Sequence, residues 1–198
     1  MTQSFHTNPS FQLLLATTEE IIRERGCSQT TLQEIIKRTG LSKGAIYHYV
    51  QSKDELFALV LQSKLEQVNE NFALQVSKSA RGDLQTPLRA IIKGFSQMMR
   101  AEGNVALQIF VYLLSQKEKP EIAEILRRFY EFSVTLQTKW IETGQEGGAI
   151  SKALDARKTA QYLVAHMFGS GILGIIQQGE RPLDEEDILQ ILMRILRD

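Results

Sequence analysis

The chain has 198 residues, 43% hydrophobic and 23% charged, with 23 basic side chains balancing 23 acidic ones for a formal net charge of zero. These are ordinary values for a soluble globular protein, and the length suits one large domain or a small domain joined to a larger one. A lone cysteine, Cys27, excludes an intramolecular disulfide framework and any multi-cysteine metal site. No apolar run approaches the roughly 18 residues of a membrane span, and Met1 to Ser10 has no apolar export core, so a cytoplasmic chain is expected.

Period-3.6 patterning recurs along the chain and period-two alternation does not, which predicts an all-α fold of about nine helices. The first helix is expected from about Ser10 to Arg25, with Gly26 as its C-cap. The second begins at Thr30 or Thr31, where Thr31 and Glu34 fit a capping box, and carries Leu32, Ile35 and Ile36 on one face. Gly40 and Leu41 form a turn, because a tight helix-to-helix turn needs a positive φ that glycine tolerates. Ser42 caps a short third helix with Ile46, Tyr49 and Val50 inside; Lys43, Ala45, Tyr47 and His48 fall partly or wholly outside that stripe.

Ser52 and Glu55 form a second capping box for a long fourth helix through Phe57, Leu61, Val68, Phe72 and Val76. A polar connection over 77–85 precedes a helix opened by Thr86 and Pro87. Residues 104–116 are mostly apolar, and Pro120 starts a helix through Trp140 that Gly144, Gly147 and Gly148 are expected to break. Asp155 caps the next helix, expected to reach Gln178, and a last helix has acids at its start and Arg194 and Arg197 at its end, matching its macrodipole.

Zero net charge argues against a nucleic-acid partner, but distribution matters more than the sum. Lys37, Arg38, Lys43 and Lys53 lie in a stretch without a single acid, a local basic patch that a solvated face would also produce. Residues 30–50 have the layout of a helix-turn-helix, two short amphipathic helices around a glycine turn.

The double threonine Thr30-Thr31, the Gly40-Leu41-Ser42 turn, Gly44-Ala45-Ile46-Tyr47 and Ser52-Lys53-Asp54-Glu55-Leu56, all in register, resemble the N-terminal signature of the TetR family of bacterial helix-turn-helix transcriptional regulators. The resemblance implies a helix-turn-helix DNA-binding domain over 1–53 and a larger helical effector-binding and dimerisation domain over 54–198. It also implies a homodimer on double-stranded operator DNA, acting as a repressor that a small, largely apolar effector releases. Thr31 would meet a phosphate, or be only a helix cap. Lys43 would reach a base edge or a phosphate, Gly44 and Ala45 would let the helix close on the groove floor, and Ala45 could touch a thymine methyl. Tyr47 and His48 would bond the DNA backbone and Lys53 would hold a phosphate, each with a plain surface or packing role as the alternative. Two departures stand out. Val50 occupies a position where the family usually has an aromatic, and residues 1–22 contain neither Lys nor Arg.

Beyond residue 60 the resemblance is architectural. Phe95, Met99, Phe110, Phe129, Trp140 and Met167 are candidate effector contacts, since aromatics and methionines suit an apolar ligand, although they serve equally as core. His166 on its apolar helix reads more readily as a core histidine than as a ligand contact. Gly169, Gly171 and Gly174 within a helix, with Ile188, Ile191, Leu192 and Ile195 on the last one, are candidate dimer contacts. An enzyme is the rival class. His6, His48 and His166 lie in separate segments, and there is no nucleophile elbow, phosphate-cradling loop or HExxH, so no catalytic residue, metal or cofactor is expected. A DNA-bound structural or division-control protein without effector is the third class.

Overall fold

The computed structural model describes residues 8–100, 104–176 and 183–197, without the side chains of Met99, Arg100 and Ile175. Among them lie nine helices and no strand: α1 (Pro9–Gln29), α2 (Leu32–Thr39), α3 (Lys43–Tyr49), α4 (Lys53–Lys78), α5 (Gln85–Arg100), α6 (Val105–Leu114), α7 (Pro120–Glu146), α8 (Ala156–Ile176) and α9 (Glu185–Arg197). The all-α expectation holds. No helix among the described residues is long and apolar enough to cross a membrane.

Short polar side chains set most of the boundaries by accepting from orphan amides at helix starts. Asn8 Oδ1 accepts from Ser10 and Phe11, Asn104 Oδ1 from Leu107, Asp155 Oδ1 from Lys158, and Asp184 Oδ1 from Glu186 and Asp187. The expected boundaries shift in two places. Gly26 does take a glycine-only conformation (φ 76°, ψ 166°), but helix resumes after it as far as Gln29. Gly144 does not break α7, which runs on to Glu146; the reversal comes at Gly148, with φ 74°. Gly144 is needed for closeness instead, because a Cβ there would lie 2.5 Å from Ile150 Cδ1. Gln177 and Gln178, expected to end α8, lie outside the described residues.

The chain divides into two compact units, one of Met1–Lys64 with Ala101–Phe129 and the other of Leu65–Arg100 with Tyr130–Asp198. In the first, α1 packs against α2 and α6, and the core holds Leu14, Ile21, Ile22, Ile35, Ile46, Phe57, Ile109 and Leu113. Full burial of each such side chain contributes roughly 1.5–3 kcal/mol. In the second unit α5 packs on α9 around Leu88, Ile92, Val134, Ile141, Leu189 and Leu192, with Arg89 and Glu186 paired at 2.9 Å on the surface. A satellite cluster of Val68, Phe72 and Trp140 adjoins Phe95 and Leu136.

Candidate nucleic-acid interface and ligand cavity

In the first unit, α2 starts at Thr31, whose Oγ1 accepts from Glu34 N at 3.2 Å. Glu34 does not reach back in the expected reciprocal bond; its carboxylate accepts from Arg38 Nε at 2.9 Å. In the second capping box Ser52 Oγ accepts from Glu55 N, while the Glu55 carboxylate takes the amide of Gln51 at 2.7 Å, one residue earlier than expected. Gly40 closes α2 at φ 68°, and Ser42 Oγ accepts from Ala45 N at 3.1 Å to open α3.

That turn rotates α3 so that Ile46 and Val50 are buried. Valine therefore fills the interior position at residue 50 that an aromatic usually takes. Tyr49 is half-buried and its ring lies 5.1 Å from that of Phe11 on α1, which anchors the helix to the unit. The opposite face carries Lys43, Gly44, Tyr47 and His48, all exposed, with Ala45 at its edge. Lys43 Nζ lies 5.6 Å from the centre of the Tyr47 ring, so the ammonium and the phenol project together. The structure thus brings Lys43, Gly44, Ala45, Tyr47 and His48 onto one helix, and Thr31 is exposed at the N-terminus of α2.

Lys37 is exposed on α2, whereas Arg38 and Lys53 are committed inside the unit. Arg38 grips both carboxylate oxygens of Glu24, at 2.7 and 2.6 Å, besides Glu34, and the guanidinium holds both carboxyls below the usual range. Lys53 stands apart from the exposed row. Its Nζ donates to the carbonyls of Cys27, Ser28 and Thr30 at 3.2, 3.5 and 3.1 Å, and sits over the rings of Phe57 and Tyr112. A cation at a helix C-terminus satisfies orphan carbonyls and opposes the dipole. Beside it, burial pushes the Cys27 thiol up to about 11.

In the second unit a cavity of about 380 Å³ is walled by α4, α5, α7, α8 and α9. Of the candidate effector contacts, Phe95, Trp140 and Met167 line it, and His166 is beside them in the lining. Phe110 and Phe129 do not; they belong to the first unit, Phe110 on α6, which packs on α1, and Phe129 on the first part of α7. The side chain of Met99 lies outside those described. Four of the expected dimer contacts face inward. Gly171, Ile188 and Leu192 line the cavity, and Ile195 packs on the core. Gly169 and Ile191 are exposed and Gly174 is half-exposed.

Two residues of this site were not singled out beforehand. Trp140 Nε1 donates to Asn69 Oδ1 at 2.7 Å, and Gln137, 2% exposed, lines the cavity. Gln137 left a trace in the sequence: it lies four residues after Ser133 and three before Trp140, a polar side chain on an apolar helical stripe.

Residues 14–60 match the family described as bacterial regulatory proteins, tetR family. They span α1, α2, α3 and the start of α4. That stretch carries the DNA-binding segment of the tetR family. Over 180 residues it is 28% identical to the HTH-type transcriptional repressor DhaR of Mycobacterium sp. (strain GP1), covering 89% of this chain and 88% of that protein. Its fold matches the TetR regulator TylP from Streptomyces fradiae with a TM-score of 0.67 at 21% identity, covering 96% of this chain and 87% of that one. It also matches the transcriptional regulator FadR from Bacillus subtilis, solved with stearoyl-CoA, with a TM-score of 0.65 at 18% identity over 93% and 96% of the two chains. The matched segment and the relatives point to a transcriptional regulator of the TetR type.

Proposed function

We propose that this chain is a cytoplasmic transcriptional repressor that reads double-stranded operator DNA as a homodimer and is released by a small effector. The observation that carries the DNA-binding reading is the two-sided α3, with Ile46 and Val50 locked inside and Lys43, Tyr47 and His48 exposed together. A helix so held presents base-reading and phosphate-binding groups to a major groove, with Gly44 and Ala45 adding no bulk against its floor. Thr31 supplies a hydroxyl and adjoining amides for a phosphate. Lys53 acts as a positioning residue, fastening the start of α4 to the end of α1.

Residues 1–53 make the DNA-reading domain and 54–198 carry the effector and the partner copy. The surface for the partner is α8, where Tyr162, Gly169, Ile172, Leu173 and Ile176 form an exposed apolar stripe at helical spacing, with Ile191 exposed on α9. Pairing two copies about a two-fold axis sets two α3 helices about one DNA turn apart, roughly 34 Å. The effector occupies the cavity, whose volume of about 380 Å³ suits a small molecule and not the whole of a ligand such as the stearoyl-CoA of FadR. α4 couples the two events: it begins directly after α3, and its Phe72 and Val76 line the cavity. By linkage, an effector that weakens DNA binding must itself bind the DNA-loaded protein more weakly by the same factor, about 5–150-fold for a coupling of about 1–3 kcal/mol.

Selection of tight binders from random duplexes tests the reading. Recovered sites should contain two inverted half-sites about 10 base pairs apart. Recovery of no consensus, or of a single unpaired half-site, would count against a dimeric operator-binding protein.

A further inference from the structure

Among the described residues, one fully buried side-chain atom of the cavity wall is left unserved by the fold. Gln137 on α7 is 2% exposed and lines the cavity, and its Nε2 is buried without a hydrogen-bond partner. The neighbouring indole is already satisfied, since Trp140 Nε1 donates to Asn69 Oδ1 at 2.7 Å. A buried donor without an acceptor is unfavourable, and native interiors rarely leave one. A hydrocarbon filling this space would displace water and leave the amide stranded. An oxygen acceptor at the same place would complete it.

The rest of the wall decides what carries that oxygen. Phe72, Phe95, Ile141 and Met167 make the surroundings apolar. The ionised side chains of the lining are Arg81 and Asp83, of opposite sign and two residues apart on the link between α4 and α5, with Asp83 already accepting from the amide of Thr86 at 3.1 Å. Among the described residues of the lining, His166 apart, no buried Lys, Arg, Asp or Glu is there to compensate a charged ligand, which an apolar wall would otherwise reject. At roughly 30 Å³ per non-hydrogen atom, taking water's share of its liquid, about 380 Å³ holds on the order of a dozen atoms.

Resting on the reading of this cavity as the effector site, we propose that its occupant is a neutral, largely apolar carbonyl compound of about a dozen non-hydrogen atoms, whose oxygen accepts a hydrogen bond from Gln137 Nε2. Gln137 is then the specificity-determining residue of the site. A pocket built to bond a ligand oxygen discriminates against the analogue that lacks it far more than an apolar pocket discriminates by size.

Three probes on the full-length protein test this: hexanophenone, hexylbenzene and a phenylhexanoate. Calorimetry gives the affinities, and Trp140, the chain's single tryptophan, reports occupancy of the cavity through its emission. Hexanophenone should bind about tenfold more tightly than hexylbenzene, the order of one buried hydrogen bond. In Gln137→Met, which keeps length and loses the donor, that preference should vanish through weaker ketone binding alone. Equal binding of ketone and hydrocarbon to the natural sequence, or a preference that survives in Gln137→Met, overturns the carbonyl assignment while leaving the cavity a ligand site. Tighter binding of the phenylhexanoate than of hexanophenone overturns the neutrality. If no probe binds, the effector-site reading falls and the proposal with it. Should Gln137→Met fail to fold, the comparison of probes on the natural sequence decides alone.

Discussion

Two lysines of the same basic stretch have different work. Lys43 projects from α3 beside Tyr47, whereas Lys53 closes three carbonyls at the end of α1. Lys53→Met should therefore lower the unfolding free energy by about 1–3 kcal/mol, the cost of losing a buried hydrogen-bonding group. It should leave the salt dependence of DNA binding unchanged. Lys43→Ala should do the reverse, reducing the slope of log K against log salt by about 1 per half-site with stability within about 0.5 kcal/mol of the parent. Urea titrations and anisotropy at several salt concentrations separate the two; a slope change in Lys53→Met would return that residue to the DNA footprint. A third residue sets a pH dependence. Burial, and then the charge of Glu70, pushes the Glu66 carboxyl up to about 7 from 4.5. Its folded-state pKa is above the unfolded one, so folding takes up a proton there. The stabilisation is full below about 4.5 and is lost as pH rises through about 7. Glu66→Gln should flatten the stability profile across that window, and an unaltered profile would show that the carboxyl titrates normally.

At the scale of elements, glycine positions separate turn chemistry from close packing. Gly40 and Gly148 sit at positive φ, where a β-carbon costs about 1–2 kcal/mol. Gly144 is helical and matters for space, since its Cβ would meet Ile150 Cδ1 at 2.5 Å and Cγ1 at 2.7 Å. Gly144→Ala should destabilise by about 1–3 kcal/mol, as overpacking of a filled interior does. Within one subunit a Cβ at Gly169 meets nothing within 4 Å, so Gly169→Ala in a Leu173→Arg background, where the α8 face is unpaired, should gain up to about 1 kcal/mol of helix propensity. Chemical unfolding of the two variants checks the contrast; equal effects would mean that Ile150 moves aside without cost.

At the scale of the whole molecule the prediction is pairing. Tyr162, Ile172, Leu173 and Ile176 leave a long apolar face on α8 exposed, with Ile176 68% accessible. A monomeric soluble protein rarely shows such a contiguous patch without a partner. Light scattering at micromolar concentration should give about twice the 22.5 kDa subunit mass. Leu173→Arg should shift that towards one subunit while keeping the helical melt. A single-subunit mass for the natural sequence would sink the dimer.

The sequence by itself determined what is local. Thr31, Gly40 and Ser42 specify the turn between α2 and α3 through bonds that span at most four residues, and Ile46 against Lys43 and Tyr47 follows from helical spacing. Such features are written in short windows, so the helix count and the exposed face of α3 were legible. Tertiary structure decided which long-range partners each side chain meets. Lys53 bonds a carbonyl 26 positions away and Arg38 a carboxylate 14 away, and no period in the sequence announces either. In the same way α6 packs on α1 and takes Phe110 into the first unit, to which Phe129 of α7 also belongs, while Leu192, Ile188 and Gly171 line the cavity. An apolar face states that it must be buried; which surface buries it depends on the packing of helices distant in the chain.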